Sequence, residues 1–343
     1  LEKDGKLWMQ ACVSPLWDSA IACNALMDSG MPSDHPALVK AAEWIISKQV
    51  VKRGDWQVKN PGAEPGGWAF EFYNELYPDT DDTAEILLFL DRVETSDPRW
   101  KLSECHRAMN WLLSMQSKSG GWGAFDVDND MEVLNEVPFA DHKALLAPPT
   151  VDVTSRILWM LSKWGFKQQH PQVQRAIKFV KDRQEIDGCW FGRWGVNYIY
   201  GTFLALNGLR AIGEDMKAPF SRKAVGWLEN HQNEDGGWGE TCQSYAEPSL
   251  RGRGKSTASQ TAWALMGLIA ADEAKNPAVL RGVKYLMATQ NDSGEFSGSW
   301  WEDEFTGTGF PVHFFIKYHM YQHFFPLMAL SRYRQAIQGE AQR

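Results

Sequence analysis

The sequence predicts an all-α (α/α)6 toroid, a ring of inner helices enclosed by outer ones. Two observations predict it: a Gln-to-aromatic motif recurring along the whole chain, and an alternation of two kinds of helical stretch between its copies. Gln49 precedes Gly54 and Trp56; Gln116 precedes Gly120, Gly121 and Trp122; Gln184 precedes Gly188 and Trp190; Gln232 precedes Gly236, Gly237 and Trp238; Gln290 precedes Gly294 and Phe296. In four of these five copies the aromatic follows the Gln by six residues, a recurrence beyond chance.

Each Gln closes an amphipathic stretch: Pro36 to Gln49, Cys105 to Gln116, Pro171 to Gln184, Phe220 to Gln232 and Pro277 to Gln290. Apolar residues recur there at helical spacing, and a Pro often stands near the first turn, where its missing N–H costs nothing. Between them lie six more evenly apolar segments: Pro15 to Leu26, Asp82 to Leu90, Val153 to Trp164, Tyr200 to Ile212, Thr257 to Ala270 and Tyr321 to Ala336. A helix that is apolar nearly all round is buried. Five half-buried and six buried helices fit concentric rings. A linear helical solenoid is the other architecture, although the 48 to 68 residues between successive Gln positions exceed the usual two-helix repeat. The Gln amide is expected to bond orphan backbone groups at helix ends, with the Trp ring packed beside it.

The 343 residues, 44% hydrophobic, can form one toroid domain spanning 1–343. A net charge of −8 and the lack of a basic stripe exclude a nucleic-acid partner. Five scattered cysteines without a CxxC pair read as reduced core thiols. No apolar run reaches the ~18 to 20 residues that cross a bilayer. The chain opens at Leu1 inside patterned sequence, so a preceding partner segment is expected. Seventeen Trp and seventeen Phe are more than packing alone uses, which points to work for π faces.

Asp79-Thr80-Asp81-Asp82 follows Pro78 and opens the buried segment Thr83-Ala84-Glu85-Ile86-Leu87-Leu88, which puts the carboxyls at a helix N-terminus facing a barrel cavity. An ordinary N-cap explains one or two acids. Three in four residues raise one another's pKa, so that one keeps its proton near neutrality and can serve as a general acid in a dry cavity. A rival reading makes Asp81, Asp82 and Glu85 a Mg²⁺ site for a diphosphate, but no second acidic motif or cationic cluster faces it. Aromatics expected near the cavity are Trp17, Trp68, Phe70, Trp194, Tyr198, Tyr200, Phe310, Phe314, Phe315, Tyr318 and Tyr321. Core packing accounts for any one of them; as a set beside an acid they can stabilise a cation by about 2 kcal/mol per desolvated ring.

These residues resemble the squalene–hopene cyclases, class II triterpene cyclases with repeated Gln…Trp motifs and an Asp-x-Asp-Asp acid. The resemblance covers nearly the whole chain, from Ser14-Pro15-Leu16-Trp17-Asp18 through Gly66-Gly67-Trp68-Ala69-Phe70 and Asp79-Thr80-Asp81-Asp82-Thr83-Ala84. It continues through Gly192-Arg193-Trp194-Gly195-Val196-Asn197-Tyr198 and Gly307-Thr308-Gly309-Phe310-Pro311 to Arg332-Tyr333. It implies a bacterial-type isomerase that protonates squalene and yields hopene or hopanol, with no metal and no organic cofactor. By resemblance Asp81 donates the proton, Asp79 and Asp82 position it, and Asp152 joins the surrounding hydrogen bonds. Phe70, Phe310 and Phe314 match cation-stabilising rings; Trp17, Trp194, Tyr318 and Tyr321 match residues that shape the cavity; Phe139 matches the entry constriction. It further implies a second helical domain outside this chain, a peripheral or monotopic place on the cytoplasmic side of the membrane, and room for a homodimer. The cavity of the family lies between two domains, so residues 1–343 alone are expected to be inactive.

Two positions depart from the family pattern. Arg156 stands where a His is expected beside the acid, and either replaces it or pairs at i, i+4 with Asp152. Phe125 stands where a Tyr is expected and lacks the hydroxyl. Other readings are a class II diterpene cyclase acting on a prenyl diphosphate, a protein prenyltransferase, a carboxylate glycosidase and a non-catalytic binding toroid. The prenyltransferase wants a zinc site that the dispersed His residues, His319 and His323 included, do not supply.

Overall fold

The structure is a computed structural model that describes residues 2–3, 5–7, 12–74, 76–95, 97, 99–137, 146–294 and 297–341. Among them are eleven α-helices: Pro15–Asp28 (α1), Pro36–Ser47 (α2), Thr80–Arg92 (α3), Leu102–Ser114 (α4), Val151–Lys163 (α5), Pro171–Asp182 (α6), Tyr198–Ala211 (α7), Pro219–Asn230 (α8), Ala258–Ala270 (α9), Pro277–Thr289 (α10) and Tyr321–Ala341 (α11). The odd-numbered helices pack in order, each on the next, and α11 returns to α1. The ring closes, which excludes the linear solenoid. Each even-numbered helix lies against the inner helix before it.

Burial follows the predicted division. In α3 every residue from Thr80 to Leu90 is buried, and in α9 every residue from Ala258 to Leu268. Outer helix α6 instead buries Val173, Ala176, Ile177, Phe179 and Val180, a single stripe at helical spacing. Proline opens α2, α6, α8 and α10, as the sequence suggested.

The repeated motif ties one outer helix to the next. The Gln49 amide donates to the Glu104 carbonyl at 2.8 Å, Gln116 to Gln172 at 2.9 Å, Gln184 to Phe220 at 2.8 Å and Gln232 to Ala278 at 2.8 Å, each acceptor lying in the first turn of the following outer helix. The orphan carbonyl in the last turn is met by the indole: Trp122 Nε1 donates to Leu112, Trp190 to Val180 and Trp238 to Leu228. The Trp, expected only to pack, thus caps the helix, and the Gln joins neighbours. In the first copy Trp68, not Trp56, bonds the matching carbonyl of Ile45; in the last, Trp300 bonds Leu286. Trp56 packs edge-on against Trp111 instead, with centroids 5.9 Å apart. Phe296, the expected aromatic of the last copy, lies outside the described residues. A longer loop between Gln and Trp hides the true partner in both copies.

The expectation for the cysteines needs narrowing. Cys23, Cys105 and Cys189 are buried free thiols, but Cys12 and Cys242 are only half-buried. Among the described residues no helix is long and apolar enough to cross a membrane.

Candidate active site

Because all six inner helices run the same way through the ring, their first turns meet at one end. Trp17 of α1, Asp81 and Asp82 of α3, Tyr200 of α7 and Tyr321 of α11 converge there on a cavity of about 380 Å³. Phe70 joins it from a short antiparallel ladder in which Trp68 pairs with Asp79 and Ala69 with Pro78. The same ladder delivers Asp79 in extended backbone as the N-cap of α3, its Oδ1 accepting the N–H groups of Asp81 (2.7 Å) and Asp82 (3.3 Å).

Phe310 and Phe314 come from a hairpin, strands Gly307–Phe310 and Phe314–Ile316, in which a bulge at Gly309 sets the two rings opposite each other with centroids 5.9 Å apart. Glycine is needed at both ends of that first strand's core: a Cβ on Gly307 would lie 2.4 Å from the Tyr318 ring, and one on Gly309 2.7 Å from Phe314. The turn puts Val312 at φ 75, a left-handed conformation that is costly for a β-branched residue. Tyr318 stacks on Tyr321 with centroids 4.4 Å apart, and Phe70 meets Tyr318 edge-on at 6.5 Å. Tyr321 accepts a hydrogen bond from Trp17 Nε1 at 2.9 Å, so the apolar wall is fixed by a polar clasp.

Asp152 sits behind the wall. Its Oδ2 accepts the N–H groups of Arg193 and Trp194, each at 2.8 Å, which aims Trp194 into the cavity, where Phe125 meets it edge-on at 6.2 Å. Asp152 does not pair with Arg156, contrary to the i, i+4 alternative. Arg156 turns instead toward α3: its Nε donates to Asp81 Oδ1 at 2.8 Å, Nη1 to Glu85 Oε2 at 2.5 Å and Nη2 to the Tyr200 hydroxyl at 2.8 Å. Its guanidinium also lies 4.8 Å from the centre of the Trp17 ring.

One guanidinium therefore faces several buried acids. Burial, with the charge of Asp81 adding and the capping N–H groups opposing, raises Asp79 to about 7. Burial raises Asp82 well above the usual carboxyl range, with Asp79 and Asp81 adding, and its buried Oδ1 has no hydrogen-bond partner among the described residues. Burial raises Asp81 to about 6, against the pull of Arg156, so Asp81 is the strongest acid of the three. Burial weakens Arg156, but Asp81, Tyr200 and Glu85 outweigh it and hold the cation above its ordinary value. The guanidinium stands where a metal bridging Asp81 and Glu85 would sit, which counts against the Mg²⁺ reading. Among the described residues no cluster of three His, Cys, Asp or Glu could hold a metal.

The cavity gathers Asp79, Asp81, Asp82, Trp17, Phe70, Phe125, Trp194, Phe310, Phe314, Tyr318 and Tyr321. Phe139 lies outside the described residues. Three expected aromatics are elsewhere. Trp68 serves the repeat, Tyr198 packs against Phe191 and under Arg251, and Phe315, on the other face of its strand, packs near Tyr245. The period of two along that strand could have separated Phe314 from Phe315. Sequence reasoning missed Arg193, a buried cation of the wall that donates to the Gly309 carbonyl at 3.2 Å and lies over Trp194. It also used Glu85 only as a metal ligand.

Residues 13–335 match the family described as squalene-hopene cyclase C-terminal domain. The chain is 47% identical over 339 residues to a squalene–hopene cyclase of Alicyclobacillus acidocaldarius, covering 98% of this chain and 53% of that protein. It is 45% identical over 340 residues to that of Zymomonas mobilis, covering 96% and 50%. It thus spans about half the length of these curated relatives. The type II terpene cyclase MstE from Scytonema shares the fold at TM-score 0.62 and 15% identity, over 96% of this chain and 89% of that one.

Proposed function

The chain belongs to the squalene–hopene cyclase family, and from that premise we propose that the complete protein cyclises squalene to a pentacyclic triterpene, hopene or hopanol. The observation that carries the reading is Asp81, 6% exposed, lining a cavity together with the rings of Phe70, Phe125, Trp194, Phe310, Phe314 and Tyr318. A donor to an alkene must be acidic yet still protonated. Asp81 is the most acidic of three carboxyls that burial keeps near neutral, and Asp82 beside it retains a proton more firmly.

In the proposed reaction the Asp81 O–H bond breaks as the terminal alkene's π pair forms the new C–H bond. The carboxylate left behind faces the Arg156 Nε–H, and the helix N-terminus adds positive potential. The cation moves into a space edged by Phe70, Phe310, Phe314, Tyr318 and Trp194, whose ring faces attract it where water is scarce. Proton loss or capture of water ends the cascade. The diphosphate alternative needs a cationic cluster, and Arg193 is the one Arg or Lys among the described lining residues.

The other half of the protein is proposed to supply a second helical domain that closes the cavity. Supporting this, Phe310 is 37% exposed and Tyr73, between the lining residues Glu71 and Asn74, is fully so. Peripheral attachment to the cytoplasmic face of the membrane and a homodimer are proposed on the family resemblance; vesicle flotation and light scattering of the complete protein test them. The test of the activity is to incubate the complete protein with squalene in detergent plus chelator and identify products by mass. Pentacyclic product is expected, with turnover falling as pH rises past about 6; unchanged squalene refutes the reading. Residues 1–343 alone are expected to give no product.

A further inference from the structure

We propose that Glu85 is a positioning residue for the proton donor. It holds the Arg156 guanidinium so that only Nε–H meets Asp81, and it offsets the guanidinium's charge so that Asp81 can still carry a proton. This rests on the reading of Asp81 as general acid.

The geometry is specific. An arginine left alone with a carboxylate turns its fork to make two parallel N–H bonds, which fixes the carboxylate in its ionised form. Here Nη1 is taken by Glu85 and Nη2 by Tyr200, leaving Nε for Asp81 Oδ1. None of the described residues donates to Asp81 Oδ2, which stays available for a proton. Glu85 follows Asp81 by four residues on α3, one helical turn away, and is 3% exposed. It does not line the hydrocarbon cavity. It reaches a separate cavity at the far end of the ring, so it can influence the acid without touching substrate.

Glu85 is itself held in place. Its Oε1 accepts from Asn24 Nδ2 at 2.8 Å, Asn24 Oδ1 accepts from Arg92 Nη1 at 3.1 Å, and Arg92 Nη2 pairs with Asp28 at 2.8 Å. Between an anion and a cation an amide has one satisfactory orientation, so Asn24 points its NH₂ at Glu85. The remaining ionisable groups around Asp81 and Arg156 are Asp79 at the cap of α3 and Asp82 on it, Asp18 on α1, Asp152 on α5, Tyr200 on α7, Tyr318 just before α11 and Tyr321 at its start. None of them donates to or accepts from Glu85.

The test is the pH dependence of squalene turnover by the complete enzyme. Wild-type turnover is the control for the reading itself: no product there refutes the reading, whereas the comparisons below concern Glu85 alone. Removing the negative charge by Glu85→Gln should lower the proton affinity of Asp81 and move the alkaline limb of kcat down by about one pH unit, with KM unchanged. Glu85→Asp, which keeps the charge, should leave the limb in place. Glu85→Gln also strands a buried cation, so a second comparison is independent of its folding: the limb of Arg156→Gln, Glu85→Gln should lie below that of Arg156→Gln. A limb displaced in either comparison supports the role. Limbs that coincide in whichever comparisons can be made, with kcat lowered equally at every pH, overturn it and leave Glu85 a packing residue.

Discussion

The two ends of the ring are built from the same six helices and carry opposite chemistry. At the N-terminal end, Asp79, Asp81, Asp82 and Asp152 gather where the helix dipoles are positive, and the Arg156 guanidinium bonds one of them, Asp81. At the C-terminal end, Arg92, Lys163, Arg210 and Arg332 edge a cavity of about 660 Å³, and three of the four are paired: Arg92 and Arg332 share Asp28 at 2.8 and 2.9 Å, and Arg210 meets Asp272 at 2.8 Å. Both ends obey the dipole. They differ in balance, because the acids at one end are buried in excess of their cation and those at the other have partners. Excess and burial together raise proton affinity, so the acid end can hold a transferable proton, while the basic end serves to close the ring.

The widest gap between the ends should appear on removing the donor. In the complete protein Asp81→Asn is expected to lower kcat by at least about 10³-fold, as loss of a general acid does, with circular dichroism and melting temperature preserved. Turnover within tenfold of wild type would place the proton on another group, Asp82 first. The next largest effect is on stability. Asp79 binds its proton more tightly when folded, up to about pH 7 against an ordinary 3.8. Its contribution is therefore full below pH 3.8 and lost as pH rises through 7, a change on the order of 4 kcal/mol. Asp79→Asn keeps the cap and should flatten the decline of stability between pH 4 and 8 in denaturant titrations. An unchanged slope would mean that Asp79 is ionised throughout.

How much of this the chain disclosed depended on spacing. Helices of both rings were legible because their periodicities are long, and the acid cluster because Asp79, Asp81 and Asp82 are adjacent in sequence. Trp68 and Trp300 were not, since loops of variable length separate them from Gln49 and Gln290, and only the shared Nε1 bond to the carbonyl four residues before each Gln identifies them. The Arg156 contacts were also hidden. Asp152 at i, i+4 was the local partner to expect, but it bonds the Arg193 and Trp194 N–H groups, and the real partners Asp81 and Glu85 come from another helix. Contacts between helices leave no local pattern.

At the basic end, mutations should move stability and leave chemistry alone. Asp28→Asn removes the carboxylate shared by Arg92 and Arg332, which are partly exposed, and is expected to cost about 1 to 2 kcal/mol. Turnover on squalene should stay within about twofold of wild type, because the change lies beyond Glu85 and Asn24 and keeps every contact of Asp81. A fall in kcat comparable to that of Asp81→Asn would couple the two ends and undo the contrast drawn between them.

The smallest effect is expected at Arg210, whose pair with Asp272 leaves the two side chains 51% and 56% exposed. Solvent screens such a pair, and holding two long side chains costs entropy, so Arg210→Ala should change stability by less than about 0.5 kcal/mol. Thermal unfolding at low and high salt checks it, because a screened pair leaves mutant and wild type with the same difference at both. A loss above 2 kcal/mol would mean that the charge answers the inner-helix C-termini rather than Asp272, and that the basic end is as unbalanced as the acidic one.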